Sequence, residues 1–189
     1  MKLLEERILK DGIIINDDIL KVDSFLNHQI DVNLINALAN DVKDYFKDVK
    51  VDKILTIEAS GIAIAYALSL VFNNVPVVFA KKSKSATVGT DVYMTEIKSF
   101  TRNTISTVTV CNKYLNENEN ILIADDFLAE GNAAMGLIDL CNQAKANVVG
   151  YMTAVEKEFQ GGRKKIEELG IKVYSGARIK GFKNNKPIF

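Results

Sequence analysis

The spacing of apolar residues in the first fifty positions predicts two helices. Apolar residues recur at helical spacing through the first ten positions, and Asp11-Gly12 ends that pattern before a short apolar run over 13–15. Asp31 has the side chain of a good N-cap for a second helix that ends near Asp48. The apolar face of this second helix comprises Leu34, Leu38, Val42 and Phe46. Two amphipathic helices therefore precede the first long strand.

From about residue 50 the pattern alternates between strand-type and helix-type spacing. The strand-type runs are 54–57, 75–80, 121–124, 148–155 and 171–174, and the helical patterns begin at Gly61, Ala133 and Arg163. This βαβα order is typical of a largely parallel sheet with helices on both faces. We therefore predict an α/β fold built on a mostly parallel, twisted sheet flanked by helices.

Two segments, 92–100 and 105–111, interrupt the alternation because neither has helical spacing. The tetrapeptide 101–104 links them, which predicts an antiparallel arm attached to the otherwise parallel sheet. The stretch 83–95, rich in polar and small residues with Gly89 inside, is expected to form a flexible flap. Closure of such a flap over a site would exclude water during a reaction.

Composition and charge exclude several classes of protein. The 189 residues suit one domain with a full core, and 24 Lys plus Arg balance 24 Asp plus Glu, so no global field attracts nucleic acid or an anionic membrane. The most apolar stretch, 62–72, is shorter than the roughly 20 residues that span a bilayer, and no signal peptide is visible. Cys111, Cys141 and the lone His28 complete neither a disulfide framework nor a zinc site. We expect a cytoplasmic protein.

The stretch 121–134 carries the most chemical information in the chain. An apolar strand runs into Asp125 and Asp126, then into a short loop with Gly131, then into an alanine-rich helix. The amino end of a helix that follows a strand offers free N–H groups and a positive dipole end, which together suit a phosphate. Carboxylates repel phosphate, so the two acids suit ribose hydroxyls instead. The alternative is a pair of surface acids capping an ordinary strand–helix loop.

This stretch resembles the phosphoribosyl-diphosphate signature of the type I phosphoribosyltransferases. In that family an apolar strand, two acids and a small-residue loop hold the ribose 5-phosphate of phosphoribosyl diphosphate (PRPP). The resemblance assigns PRPP to Ala129, Glu130, Gly131, Asn132 and Ala133. Many members have Thr where this chain has Glu130 and Ala133. The alanine resembles the xanthine-specific branch, whereas the Glu130 carboxylate must point away from the phosphate.

A second strand–helix turn, Glu58-Ala59-Ser60-Gly61, repeats the same geometry and predicts a second anion site. The corresponding loop of the family holds pyrophosphate, and Gly61 would permit the close approach, although a glycine at such a turn is often only structural. Lys81 and Lys82 follow the strand 77–80 and resemble the family's diphosphate-binding pair. Lys84 is equally consistent with a solvated surface.

The segment 20–31 reads locally as a loop whose apolar residues must cover something, and it resembles the hood over the base in xanthine phosphoribosyltransferases. In that family the equivalents of Leu20, Asn27 and Lys157 contact the purine. The Lys157 ammonium has three donors and no acceptor, so it suits the oxo groups of xanthine and fits poorly against the amino group of adenine. Alternatively, it pairs in solvent with a neighbouring glutamate. Phe127 is a candidate to stack under the purine or to fill the core.

The resemblance implies a single phosphoribosyltransferase domain over residues 1–189, with a hood of about 1–32 plus C-terminal residues and a core of about 33–176. It implies transfer of the 5-phosphoribosyl group from PRPP to N9 of xanthine, giving xanthosine 5′-monophosphate (XMP) and pyrophosphate. Asp125, Asp126 and Lys82 are the candidate catalytic residues. Mg²⁺ would be held mainly by PRPP and water rather than by a protein cage. A homodimer is also expected.

Two alternatives remain open from sequence. Guanine and hypoxanthine share the 6-oxo group of xanthine, and the Asn27 amide can be turned either to donate to a 2-oxo group or to accept from a 2-amino group. A non-enzymatic regulator that senses PRPP is the alternative from another class. Such a regulator requires a DNA-binding part, and no basic recognition helix is visible before the first sheet strand.

Overall fold

A computed structural model of the chain describes residues 1–83, 91–98 and 105–189. The centre of the expected flap, Lys84 and the 101–104 link lie outside the described residues. Across the described ranges, no helix is long and apolar enough to cross a membrane.

Five α-helices and eleven strands make up the described part of the chain. The helices are α1 Lys2–Asp11, α2 Val32–Tyr45, α3 Gly61–Val71, α4 Asn132–Gln143 and α5 Gly162–Glu167. The strands are β1 Ile13–Ile15, β2 Ile19–Lys21, β3 Lys53–Ile57, β4 Val77–Ser83, β5 Val92–Lys98, β6 Ile105–Cys111, β7 Asn120–Leu128, β8 Asn147–Lys157, β9 Val173–Ile179, β10 Gly181–Lys183 and β11 Lys186–Ile188.

Seven strands form one central sheet in the order β5-β6-β4-β3-β7-β8-β9. The five strands from β4 to β9 in this order are parallel, as the alternating pattern predicted. Strands β5 and β6 pair antiparallel with each other, and β6 continues the sheet along the second half of β4, where Lys82 pairs with Val108. The mostly parallel sheet and the antiparallel arm are thus both confirmed.

The sheet separates two apolar cores, and successive residues of its central strand β7 point alternately into them. Leu122 and Ala124 join the core formed with α1, α2 and α3. Ile121 and Ile123 join the core formed with α4 and α5. Burial on both faces explains why the strand reads as a continuous apolar run rather than as an alternating one.

The predicted features of the two N-terminal helices are largely confirmed. The Asp31 side chain caps α2 by accepting a hydrogen bond from the Leu34 N–H at 3.1 Å. The whole predicted apolar face of α2 is buried, although the helix ends at Tyr45 rather than near Asp48. In α1 only Leu4 and Ile8 of the apolar residues are buried.

The hood is more ordered than its sequence indicated. The prediction of a loop over residues 20–31 is wrong in part, because the segment begins within the β1–β2 hairpin and continues into a π-helical turn over Asp23–Asn27. Phe25 and Leu26 of that turn are buried in the core beside α1 and α2. A second hairpin, β10–β11, closes the chain and bonds the first one through Asp17, whose backbone N–H donates to Asn185 Oδ1 at 3.3 Å.

Candidate active site

A cavity of about 860 Å³ opens at the carboxyl ends of β3, β4 and β7. Parallel sheets commonly bind ligands at this edge, because the turns into the following helices meet there. The hood and the antiparallel arm form its other walls. Its lining includes these predicted site residues: Asn27, Glu58, Ala59, Ser60, Lys82, Asp125, Asp126, Phe127, Ala129, Glu130, Gly131, Asn132 and Ala133.

The acid pair lies within a strand rather than after one. Strand β7 continues through both acids to Leu128, because β8 stays hydrogen-bonded beside it and pairs Asp125 with Thr153. The predicted strand over 121–124 is therefore too short, although it runs into the acids as expected. Sheet geometry points the two carboxylates to opposite faces of the strand. One acid is consequently buried beneath the cavity and the other is more open to it.

Asp125 is the buried member of the pair, with 4% of its surface exposed. Burial, and then the neighbouring Asp126 carboxylate, raise the pKa of Asp125 well above its ordinary value. The Lys82 ammonium across the cavity opposes this rise by favouring the charged carboxylate. Asp125 Oδ1 also accepts a hydrogen bond from the Asp126 N–H at 2.9 Å, which fixes the orientation of the Asp125 carboxylate. The Asp125 carboxylate therefore lies in buried surroundings where a bound cation or hydrogen-bond donors would stabilise its charge.

The turn between β7 and α4 has the geometry that phosphate binding requires. Gly131 is the N-cap of α4 with φ of 84°, a left-handed conformation that favours glycine. The β8–α5 segment supports the turn from below, where the Gly162 N–H donates to the Ala129 carbonyl at 3.0 Å. Lys165 Nζ donates to the Glu130 carbonyl at 2.7 Å. The first N–H groups of α4 thus face the cavity on a supported turn.

Glu130 is tied to its neighbour on this turn. Its Oε2 accepts a hydrogen bond from Asn132 Nδ2 at 3.2 Å, and the same amide approaches the Lys98 carbonyl of the arm at 3.4 Å. The contact occupies one carboxylate oxygen and links the turn to strand β5. Glu130, which stands where many members of the family have Thr, therefore has a hydrogen-bond partner within the turn itself.

The second turn, between β3 and α3, is joined to β4. Glu58 Oε1 accepts the Lys82 backbone N–H at 2.7 Å, and the Glu58–Ala59 peptide bond is cis. Gly61 has a packing role, because a Cβ there would lie 2.0 Å from Thr56 Oγ1. Close packing against β3 therefore accounts for a glycine at this position, and its approach to an anion stays a prediction.

The two adjacent lysines do not share an environment. They lie within β4, not after it, so their side chains point to opposite faces. Lys82 lines the cavity, whereas Lys81 lies outside its lining with Nζ 5.9 Å from the Phe79 ring centroid. The structure therefore brings one lysine of the predicted pair into the site.

At the hood end of the cavity, Asn27 reaches across to the acid pair, and its Nδ2 donates to Asp126 Oδ2 at 3.1 Å. Phe127 packs against the first core, as one of its two expectations had it, and also lines the cavity, while its stacking under a purine stays a prediction. Leu20 is buried in that core and does not line the cavity. Its side chain packs in the core beneath the β1–β2 hairpin, and its contact with a base stays a prediction.

Lys157 is also outside the cavity lining, at the end of β8 beneath the hood. It is 8% exposed, and its Nζ donates to the Asp18 carbonyl at 2.8 Å. Burial lowers the pKa of Lys157, and the nearby Asp18 carboxylate opposes that effect. The alternative of a solvent pair with a neighbouring glutamate is wrong, because Glu156 is itself buried and bonded to Arg163.

Several lining residues escaped sequence reasoning. Ile97, Lys98, Ser106 and Val108 come from the arm, whose proximity to the cavity depends on the order of strands in the sheet. His28 lines the cavity, although a lone loop histidine is more often bonded locally. Tyr151 lines it from β8, and an aromatic residue within an aliphatic strand was the available signal.

A family model described as "Phosphoribosyl transferase domain" matches residues 21–176. The chain belongs to this family. The match includes the hood segment that follows β2, both turns and the acid pair. The cavity residues therefore sit within the phosphoribosyl transferase domain itself.

Relatives that align over nearly the full length of this chain are identical to it at about half of the positions. Each of three is named "Xanthine phosphoribosyltransferase". The protein of Finegoldia magna is 52% identical over 189 residues, covering 100% of this chain and 99% of its own. That of Leuconostoc mesenteroides is 49% identical over 189 residues, covering 100% of both chains. That of Clostridioides difficile is 52% identical over 184 residues, covering 97% of both.

Solved structures of phosphoribosyltransferases share the fold at much lower identity. Adenine phosphoribosyltransferase from Trypanosoma brucei, in complex with AMP, pyrophosphate and ribose-5-phosphate, aligns with a TM-score of 0.78 at 14% identity, covering 97% of this chain and 83% of that one. Adenine phosphoribosyltransferase from Saccharomyces cerevisiae aligns with a TM-score of 0.73 at 21% identity, covering 93% of this chain and 99% of that one. These likenesses show the type I phosphoribosyltransferase fold.

Proposed function

We propose that this chain transfers the 5-phosphoribosyl group from PRPP to N9 of xanthine, giving XMP and pyrophosphate. The observation that carries this proposal is the convergence of three features on one cavity: the acid pair of β7, the amino end of α4 and the Lys82 ammonium. Each suits a different part of PRPP. The names of the full-length relatives support xanthine as the acceptor.

The reaction is a displacement at the anomeric carbon of the ribose. The bond from that carbon to the pyrophosphate oxygen breaks while the bond to N9 forms on the opposite face, so the configuration inverts. Positive charge develops on the sugar and negative charge on the leaving group. Asp125 and Asp126 stabilise the sugar cation and orient the ribose hydroxyls, while Lys82 and the turn at Ala59 and Ser60 receive the diphosphate.

The donor set of the cavity fits a Mg²⁺ ion that arrives with PRPP. Mg²⁺ prefers oxygen ligands and retains much of its water shell, and the Asp126 carboxylate offers one oxygen ligand at the cavity wall. Over residues 1–83, 91–98 and 105–189, no three His, Cys, Asp or Glu side chains converge into a protein cage. When bound, Mg²⁺ neutralises charge on the diphosphate. The substrate and water then provide most of its ligands.

The purine is proposed to bind beneath the hood, formed by about residues 1–32 and the C-terminal hairpin. Asn27 and Phe127 already line that end of the cavity. Lys157 uses one N–H donor on the Asp18 carbonyl, and its other two remain for the oxo groups of xanthine. Contact between this ammonium and the base requires the hood to shift, because Lys157 lies outside the cavity lining. We thus assign the choice of base to the Lys157 N–H donors, for which the amino group of adenine offers no acceptor.

A homodimer is supported by an exposed apolar surface on one side of the sheet. Tyr66 and Leu70 lie one turn apart on α3, and Phe79 projects from the adjoining strand β4. All three side chains are exposed, with Tyr66 exposed by 64%. Large adjacent apolar side chains on a surface favour association. Cys111 and Cys141 are free thiols, which fits our proposal of a cytoplasmic location.

The proposed function is tested by measuring kcat/KM with PRPP, Mg²⁺ and each of xanthine, guanine, hypoxanthine and adenine. We expect the largest value for xanthine and the smallest for adenine, with XMP identified as the product of xanthine. A larger value for guanine or hypoxanthine would refute the assigned base and retain the reaction. No turnover of PRPP with any purine would refute the reaction itself.

A further inference from the structure

Tyr151 brings a phenol hydroxyl into the cavity from the middle of β8. The side chain is fully buried and lines the cavity beneath the turn that precedes α4. Among the residues that the structure describes, nothing forms a hydrogen bond with its hydroxyl. Buried tyrosine hydroxyls normally have a partner, because an unpaired polar group in the interior costs free energy. This hydroxyl is therefore available to form a hydrogen bond with a ligand in the cavity.

Strand register places the hydroxyl close to the phosphate turn. Tyr151 pairs with Ile123, two residues before Asp125, so its side chain shares a sheet face with that acid. The same face packs under α4, and Tyr151 belongs to one core cluster with Leu128 and Ala134, which flank the turn. Tyr151 therefore lies on the sheet face that carries Asp125, and it lines the same cavity as Asp125 and the first residues of α4.

The hydroxyl acts as a donor in these surroundings. Burial, followed by the Asp125 and Asp126 carboxylates, raises the pKa of Tyr151 well above its ordinary value, so the phenol keeps its proton. Neither carboxylate accepts a hydrogen bond from it. In the binding mode proposed above, the ribose hydroxyls of PRPP find acceptors in the acid pair, and its diphosphate faces Lys82. The 5-phosphate at the α4 turn is the part with acceptor oxygens near Tyr151.

We propose that Tyr151 binds the ribose 5-phosphate from the sheet side, donating a hydrogen bond to a phosphate oxygen opposite the N–H groups of α4. This inference rests on the proposed function and adds a binding residue to it. The bond forms only when ligand is bound, so the hydroxyl contributes to affinity and not to the stability of the free protein.

The test compares Tyr151→Phe with a matched control, Tyr174→Phe. Tyr174 lies on the neighbouring strand β9, and its hydroxyl already donates to Asp41 Oδ2 at 2.5 Å, away from the cavity. Isothermal titration with ribose 5-phosphate, XMP and pyrophosphate gives the affinities, and thermal melting of the free proteins gives their stability. We expect Tyr151→Phe to weaken ribose 5-phosphate and XMP by roughly tenfold, as for one hydrogen bond to a charged group.

The same variant should leave pyrophosphate affinity unchanged and should not lower the melting temperature. Tyr174→Phe should do the opposite, lowering the melting temperature with unchanged affinity for all three ligands. Unaltered ribose 5-phosphate affinity in Tyr151→Phe would overturn the inference, as would an equal loss for pyrophosphate. If the unaltered protein bound neither ribose 5-phosphate nor XMP, the proposed function would fail instead.

Discussion

At the scale of single residues, the buried carboxyl of Asp125 combines a functional position with a stability cost. Its pKa is raised by burial and by Asp126, so the ionised form is the less favourable one in the folded protein. The associated loss of stability is absent below the ordinary pKa and grows as pH rises towards the folded pKa. The folded protein therefore keeps an acidic side chain at position 125 although its burial lowers the stability of the fold.

Asp125→Asn is therefore expected to raise the melting temperature at about pH 8 and to raise it less at about pH 5. The same change should lower kcat by roughly 100-fold, because a carboxylate that stabilises developing charge is removed. Differential scanning fluorimetry across pH, with steady-state kinetics, provides both measurements.

Asp52→Asn is the control for this prediction. Hydrogen bonds from Lys50 and then from the Asn120 N–H lower the pKa of Asp52, so its contribution to stability is present at neutral pH and lost as pH falls. The control should lower the melting temperature at about pH 8, with a smaller difference at low pH and unchanged kcat. A lower melting temperature for Asp125→Asn at every pH would contradict the account of its burial.

Lys157 is the residue proposed to discriminate between purines. Lys157→Met keeps most of the apolar stem and removes the ammonium group, so kcat/KM should fall by about tenfold or more for xanthine and by less for hypoxanthine. Lys180→Met is the control, since the Lys180 ammonium is exposed and donates to the Phe189 carbonyl. Equal losses for the two bases would show that Lys157 only holds the hood through Asp18.

At the scale of elements, the β8–α5 segment supports the phosphate turn through a buried ion pair. Arg163 donates to Glu156 from Nε at 2.9 Å and from the guanidinium end at 2.8 Å, and Glu156 is only 1% exposed. The adjoining Gly162 N–H then bonds the Ala129 carbonyl. The position of the turn is thus determined by a network that lies outside the cavity.

Arg163→Gln should destabilise the protein by about 3 kcal/mol, because it leaves a buried carboxylate without its main partner. Lys164→Gln, on the adjacent exposed position, should change the free energy of unfolding by less than about 0.5 kcal/mol. Urea unfolding curves measure both. Glu156 Oε2 also accepts a hydrogen bond from Ser175 Oγ at 2.6 Å and lies 3.5 Å from Arg178 Nε. Similar, small effects in the two variants would mean that these two contacts suffice to compensate Glu156.

Sequence predicted elements well where one physical cause determined them. Periodicity predicted α2 and the central strands, and the Asp31 cap was recognisable from its side chain. Strand β7 exceeds its apolar run because hydrogen bonding to β8 extends it through both acids, and no local pattern encodes that pairing. The side-chain direction of Lys81 was not predictable for a similar reason. It depends on β4 continuing through Lys81 and Lys82, which the apolar run does not show.

The site was predictable in its polar turns and less so elsewhere. Motif resemblance identified both turns, the acid pair and Asn27, and all of these residues except Gly61 line the cavity. The arm residues and Tyr151 enter through the order and register of strands, which are properties of long-range contacts. The resemblance assigned Leu20 to the base; its side chain lies in the core, and its contact with a base stays a prediction.

At the scale of the whole molecule, the exposed surface of Tyr66, Leu70 and Phe79 is proposed to join two copies of the chain. Leu70→Glu should shift the protein from dimer to monomer, because it places a charge in an apolar contact. Leu169→Glu is the control, since Leu169 is equally exposed just beyond α5, on the opposite side of the sheet. Light scattering after size-exclusion chromatography measures the mass. An unchanged dimer in Leu70→Glu would exclude this surface.

The central claim is that one cavity holds a phosphorylated ribose between the acid pair and the amino end of α4. A crystal structure of the complex with XMP tests it most directly. We predict the phosphate at the turn over 129–133, the ribose hydroxyls on Asp125 and Asp126, and the purine beneath the hood beside Asn27 and Phe127. Electron density for the nucleotide outside this cavity, with the turn free of phosphate, would contradict the account.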